Sequence, residues 1–173
     1  MIKLRPFEPS DFTQFISWID SEELLMTIAG TYFTYPLNTS QLQNYLDDKN
    51  SFSFNIVDIS KNETIGHAEI ILLDDGICKL DKVLVGDISN RGQGLGGLII
   101  NELLEYSFEK LNAKEVELNV FDWNIAGIKC YTKAGFIFNE QKIYTFQVNG
   151  ATWIAKNMRI DKDKWPHQRV RQA

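Results

Sequence analysis

Arg91-Gly92-Gln93-Gly94-Leu95-Gly96-Gly97 is the stretch on which the fold of this chain is decided. It follows an apolar run with strand character, Cys78 to Val85. It opens a helical run in which Leu95, Leu98, Ile99, Leu103, Leu104 and Phe108 recur at helical spacing. Glycines here leave backbone N–H groups open to a ligand, and a side chain would block the approach. A helix N-terminus adds unpaired donors and partial positive charge. Together they suit a diphosphate.

Gly92, Gly94 and Gly97 also satisfy G-x-G-x-x-G, the dinucleotide fingerprint, with Asp122 at a plausible distance for a ribose contact. The surroundings fit that alternative poorly. Residues 86–90 separate the glycines from the strand, and the strands before them read as antiparallel hairpins. No Lys-Ser/Thr pair follows the glycines, so a P-loop is excluded.

Outward from the loop, the C-terminal side reads as a strand over Glu115 to Phe121, with Val116, Leu118 and Val120 on one face. A short helix over Asn124 to Ala134 is stopped by Gly135. A hairpin of Lys142 to Val148 and Thr152 to Arg159 turns at Asn149-Gly150. On the N-terminal side, Ile2 to Arg5 is a short strand ended by Pro6. Ser10 or Asp11 caps a helix that puts Phe12, Phe15, Ile16 and Ile19 on one face. Thr39 or Ser40 caps a second, with Leu42, Tyr45 and Leu46. Between these helices lies an aromatic loop with Tyr32, Phe33 and Tyr35. Ser51 to Ile59, Thr64 to Leu73 and Cys78 to Val85 are strands joined by close turns, hence antiparallel neighbours. The order β-α-α-β-β-β-α-β-α-β-β predicts an α+β, three-layer fold. Its sheet is mixed and mainly antiparallel, with one parallel pair across the central helix.

The 173 residues suffice for one domain, taken as 1–161, with a locally basic tail over 162–173. A net charge of -5 disfavours non-specific nucleic-acid binding. No apolar run reaches the length of a membrane span, and no secretory leader opens the chain. Cys78 and Cys130 form no C-x-x-C pair and read as reduced thiols of a cytosolic protein. His67 and His167 are too few for a His/Cys metal site, and each reads as a surface or strand residue. No metal is expected.

Two segments together carry a resemblance. Arg91-x-x-Gly94-x-Gly96 lies between the fourth strand and its long helix. Asn124, Tyr131 and Gly135-Phe136 then follow at the separation of a second signature. Loop, helix and element order resemble the GNAT family of N-acetyltransferases along nearly the whole chain, most of all the branch that acetylates protein N-termini and small amines. The resemblance implies a transferase that moves an acetyl group from acetyl-CoA to a primary amine by direct attack. It implies a V-shaped splay between strands 4 and 5. Backbone groups of Val83, Leu84 and Val85 would pair with the pantetheine arm, residues Arg91, Gly92, Gln93, Gly94, Leu95, Gly96 and Gly97 would hold the diphosphate, and Asn124 would reach the arm from the far side. Tyr131 takes the family's place of general acid. The base is open among Asp81, Glu69 and Glu117, and some family enzymes use none. Glu22, Glu23, Tyr32, Phe33 and Tyr35 would line the acceptor side, where carboxylates and aromatic faces suit a cationic small-molecule or peptide amine. The exposed edge of the last hairpin suits a homodimer. A CoA-binding sensor without turnover and a nicotinamide-cofactor oxidoreductase are the competing functions.

Overall fold

Strands β1 (Ile2–Pro6), β2 (Ser51–Asp58), β3 (Glu63–Leu72), β4 (Ile77–Val85), β5 (Glu115–Phe121), β6 (Ile137–Val148) and β7 (Ala151–Asp161) form one sheet in the computed structural model, which describes residues 1–87, 92 and 94–165. The strand order is β1-β2-β3-β4-β5-β7-β6. Only β4 and β5 pair in parallel; every other neighbour is antiparallel. Helices α1 (Phe12–Trp18), α2 (Glu22–Ala29) and α3 (Thr39–Leu46) cover one face, and α4 (Leu95–Glu105) and α5 (Ile125–Ala134) the other.

Turn chemistry sets this topology. Asn62, Asp75, Gly76, Asn149 and Gly150 all take positive φ, the backbone that tight hairpins need. The one parallel pair requires a crossover, and α4 supplies it with a strongly apolar stripe. Ile99, Ile100, Leu103 and Leu104 are buried against Ile56, Ile70, Val116 and Met158 of the sheet. A second core lies under α1 to α3, where Phe12, Phe15, Leu25, Leu42 and Tyr45 pack with Leu84.

Three local features differ from the sequence reading. The segment after Ser21 is not loop throughout. Ser21 Oγ accepts a hydrogen bond from Leu24 N at 3.3 Å and starts α2, which buries Leu25 and Ala29. The cap of α3 is Asn38, not Thr39 or Ser40, because its Oδ1 accepts from Gln41 N at 3.0 Å. Strand β6 begins at Ile137 rather than Lys142, since an irregularity between Asn139 and Ile143 absorbs the intervening residues without ending the pairing. His67 is a strand residue, on β3, and wholly buried, with Nε2 3.0 Å from the Tyr45 hydroxyl. His167 lies outside the described residues. Cys78 and Cys130 are free thiols. No helix among the described residues is long and apolar enough to cross a membrane.

Candidate active site

The parallel pairing of β4 with β5 ends at Leu80 opposite Leu118. Beyond that point the strands part, because β4 carries an extra residue. Its register on β3 slips between His67 and Glu69, and Lys82 sits at φ 48. A left-handed conformation at a non-glycine residue costs on the order of 1 kcal/mol or more and marks a site worth examining. The bulge also reverses the facing of the strand. Cys78 and Leu80 belong to the core under α4, as do Val83 and Val85, yet Lys82 and Leu84 turn to the α1–α3 side.

Asp81, Lys82 and Val83 therefore face Asn119, Val120 and Phe121 across a narrow cleft of about 70 Å³, closed at its far side by Asn124 and Tyr131 of α5. Asn124 caps α5, its Oδ1 accepting from Gly127 N at 3.0 Å, while still lining the cleft. Tyr131 is held edge-on against Phe136, with ring centroids 6.1 Å apart. Burial, with the neighbouring Cys130 and Asp81, pushes its phenol up to about 12.

The glycine loop leads into α4. Gly92 and Gly94 adopt φ of 77 and 79, and Gly94 is the helix N-cap. A Cβ at Gly92, Gly94 or Gly97 would meet nothing within 4 Å, so the turn is bounded by open space into which helix-end amides can donate. This cradle fits a diphosphate. Arg91 and Gln93 lie outside the described residues. Leu95 packs on the α4 core and Gly96 lies against Cys130, so these two support the turn from behind.

The three carboxylates meet different fates. Glu69 on β3 is buried and ion-paired with Lys82 Nζ at 2.6 Å. Desolvation raises its pKa, and Lys82 partly opposes that shift. Glu117 on β5 is buried and paired with Lys142 at 2.6 Å. Asp81 accepts from Lys79 Nζ and from the Lys82 backbone N–H, each at 2.9 Å. Of the three, Asp81 alone borders the cleft with Tyr131.

A second cavity, of about 380 Å³, lies between α2, the loop after it and the β6–β7 turn. Glu22, Phe33 and Tyr35 line it. Glu23 is turned aside, accepting from Asn149 Nδ2 at 3.0 Å. Tyr32 packs over Lys82 instead. The sequence reading missed Lys82 altogether. Its signal was nonetheless present: apolar residues at 78, 80, 83 and 85 skip one step of a two-residue period, as a bulge at Asp81-Lys82 demands.

The acetyltransferase (GNAT) domain profile matches residues 2–137. The chain belongs to the GNAT acetyltransferase family. A spermidine N(1)-acetyltransferase of Vibrio cholerae is 25% identical over 169 residues, covering 95% of both chains. An N-acetyltransferase 9-like protein of Nematostella vectensis is 23% identical over 146 residues, or 78% of this chain and 74% of that one. Among solved structures, V. cholerae spermidine N-acetyltransferase in complex with CoA and spermine superposes with a TM-score of 0.80. It is 21% identical, over 94% of this chain and 96% of the other. Likeness at that identity establishes the fold, mixed sheet and parallel β4–β5 pair included. This GNAT protein is thus an acetyl-CoA-dependent N-acetyltransferase, and the nicotinamide-cofactor alternative is set aside. The sheet agrees: it holds one parallel pair, where a dinucleotide domain needs several.

Proposed function

We propose that the chain acetylates a small cationic primary amine, received through the cavity beside α2, with Tyr131 as general acid and Asp81 as the proton acceptor. The observation that carries this reading is the cleft at the β4–β5 splay, which holds one phenol and one of the three candidate carboxylates. Bound acetyl-CoA supplies the activated acetyl group as a thioester.

The chain's own groups then have three tasks. The loop after β4 and the first turn of α4 hold the diphosphate through backbone donors, with Gly92, Gly94 and Gly97 leaving the approach clear. Val83 to Val85 and Asn124 orient the arm at the splay. A cationic acceptor must lose two protons, one to free the attacking lone pair and one from nitrogen once it has bonded to carbon. Carbon–sulfur cleavage requires one proton at the sulfur. Asp81 takes the first nitrogen proton, directly or through a water and on to solvent. Tyr131 Oη–H protonates the sulfur, and the second nitrogen proton restores the phenol through solvent. Glu69 and Glu117 are tied to Lys82 and Lys142 and do not border the cleft, whereas Asp81, though paired with Lys79, does border it.

Glu22 at the second cavity supplies negative charge, while Phe33 and Tyr35 supply aromatic surface. The spermidine acetyltransferase relationship makes polyamines the first acceptors to try, ahead of peptide N-termini and aminoglycosides. The same reading takes 1–161 as one domain. Residues 162–165 still dock on it, with Trp165 5.2 Å from the Phe108 ring.

Thiol release from acetyl-CoA across an amine panel tests the activity. Tyr131→Phe is expected to lower turnover by roughly 10²-fold or more with CoA affinity intact. Equal loss of both would remove the acid role. CoA binding without turnover on any amine would leave a sensor.

A further inference from the structure

We propose that Lys82 is a positioning residue for the acceptor: its ammonium, anchored by Glu69, pins the α2–α3 loop against the sheet. This rests on the reading that the acceptor occupies the cavity beside α2. Lys82 and Glu69 are both almost fully buried, and Nζ lies 2.6 Å from Oε2. The same ammonium stands 4.1 Å from the Tyr32 ring centroid, 5.1 Å from that of Tyr45 and 5.8 Å from that of Phe33. A carboxylate with several aromatic faces is the chemistry that recognises an ammonium ion. Here the chain fills that cage with its own.

The placement gives the cage a purpose. Tyr45 belongs to α3 and Glu69 to β3, both rigid, whereas Tyr32 and Phe33 belong to the loop. Tyr32 is 52% exposed, and its ring is kept down by the cation beneath together with edge contacts to Phe33 and Tyr45, whose centroids lie 4.9 and 5.9 Å away. Phe33 faces the second cavity along with Gly30, Thr31, Thr34 and Tyr35. At its other end, Lys82 is the bulged residue of β4 and borders the cleft where acetyl transfer is placed. One side chain thus joins the wall of the reaction cleft to the wall of the acceptor cavity. Stability alone does not call for a buried ion pair, because apolar replacements of similar shape often serve as well.

The test uses the full chain with two substitutions together, Lys82→Met and Glu69→Gln, so that no buried charge is left unpartnered. Lys82→Met alone is the companion variant. Hydrogen exchange is read at the amides of Tyr32, bonded to Ala29 O, and Thr34, bonded to Gln41 Oε1, with core amides of β5 and β7, which carry neither substitution, as the folding control. Exchange at Tyr32 and Thr34 is expected to quicken by about tenfold or more while the core stays protected. With an accepted amine, its KM rises by more than kcat falls, and CoA affinity holds. Exchange at the two amides within about twofold of wild type, in a folded variant, would overturn the proposal. So would a loss confined to kcat. The exchange measurement needs no substrate, so a failure to find any acceptor would count against the proposed activity and leave this inference standing or falling on the loop.

Discussion

Burial keeps the Tyr131 phenol at about 12, so the proton that a general acid must carry is present throughout the physiological range. Asp81, the proposed proton acceptor, borders the same cleft. Asp81→Asn is expected to lower turnover by roughly 10²-fold at neutral pH. Part of that loss returns at higher pH, where more of the acceptor is already the free amine. A pH–rate profile unchanged by the substitution would assign proton removal to solvent. His67 makes a prediction about stability instead. Burial and the nearby Lys82 lower its pKa from 6.5 to about 3. Between those values the unfolded chain binds a proton that the folded chain refuses. Stability is therefore complete above about pH 6.5 and drains as pH falls towards 3, by an amount on the order of a few kcal/mol. Urea titrations at a series of pH values check this, and His67→Gln should flatten the slope. At this scale the glycines were legible from the turn they make and Asn124 as the cap of α5, whereas Tyr131 stood out only through the family resemblance. The burial of Lys82 and His67 was not legible, since Tyr32, Phe33 and Tyr45 cover the one and Phe7, Phe15 and Tyr45 the other, all far away in the chain.

Among the elements, β4 does most to make the site. Its bulge opens the splay and changes which side chains face each layer. Its end is supported from outside: a Cβ on Gly86 would overlap the Trp18 indole of α1, so the strand can meet α1 only as glycine. Gly86→Ala is expected to displace Trp18 or the start of the diphosphate loop, with CoA affinity falling about tenfold or more and Tm dropping by several degrees. Unchanged CoA affinity would separate the loop from that contact. Helix α2 escaped the sequence reading for an instructive reason. It spans only eight residues and is followed by an aromatic cluster, so its apolar positions merge with those of the loop. Helices α4 and α5 were legible because each carries a long enough periodic stripe and a glycine at one boundary.

For the molecule as a whole, topology was the most readable property. Close turns force antiparallel neighbours and one long crossover forces one parallel pair, but the place of β1 beside β2 and of β7 between β5 and β6 was not in the sequence reading. What lay beyond reading was the second cavity, which exists only because α2 and the β6–β7 turn, more than a hundred residues apart, meet through Glu23 and Asn149. In the proposed function, the turn before α4 receives the diphosphate of acetyl-CoA and delivers its thioester to the splay. Calorimetric titration of CoA into the wild-type chain and into Gly94→Leu tests it most directly. Saturable binding is expected for the wild type, with a loss of about tenfold or more in the variant, which must abandon φ of 79 and fill the space that the phosphate oxygens need. Equal affinities, or no binding by the wild type, would contradict it.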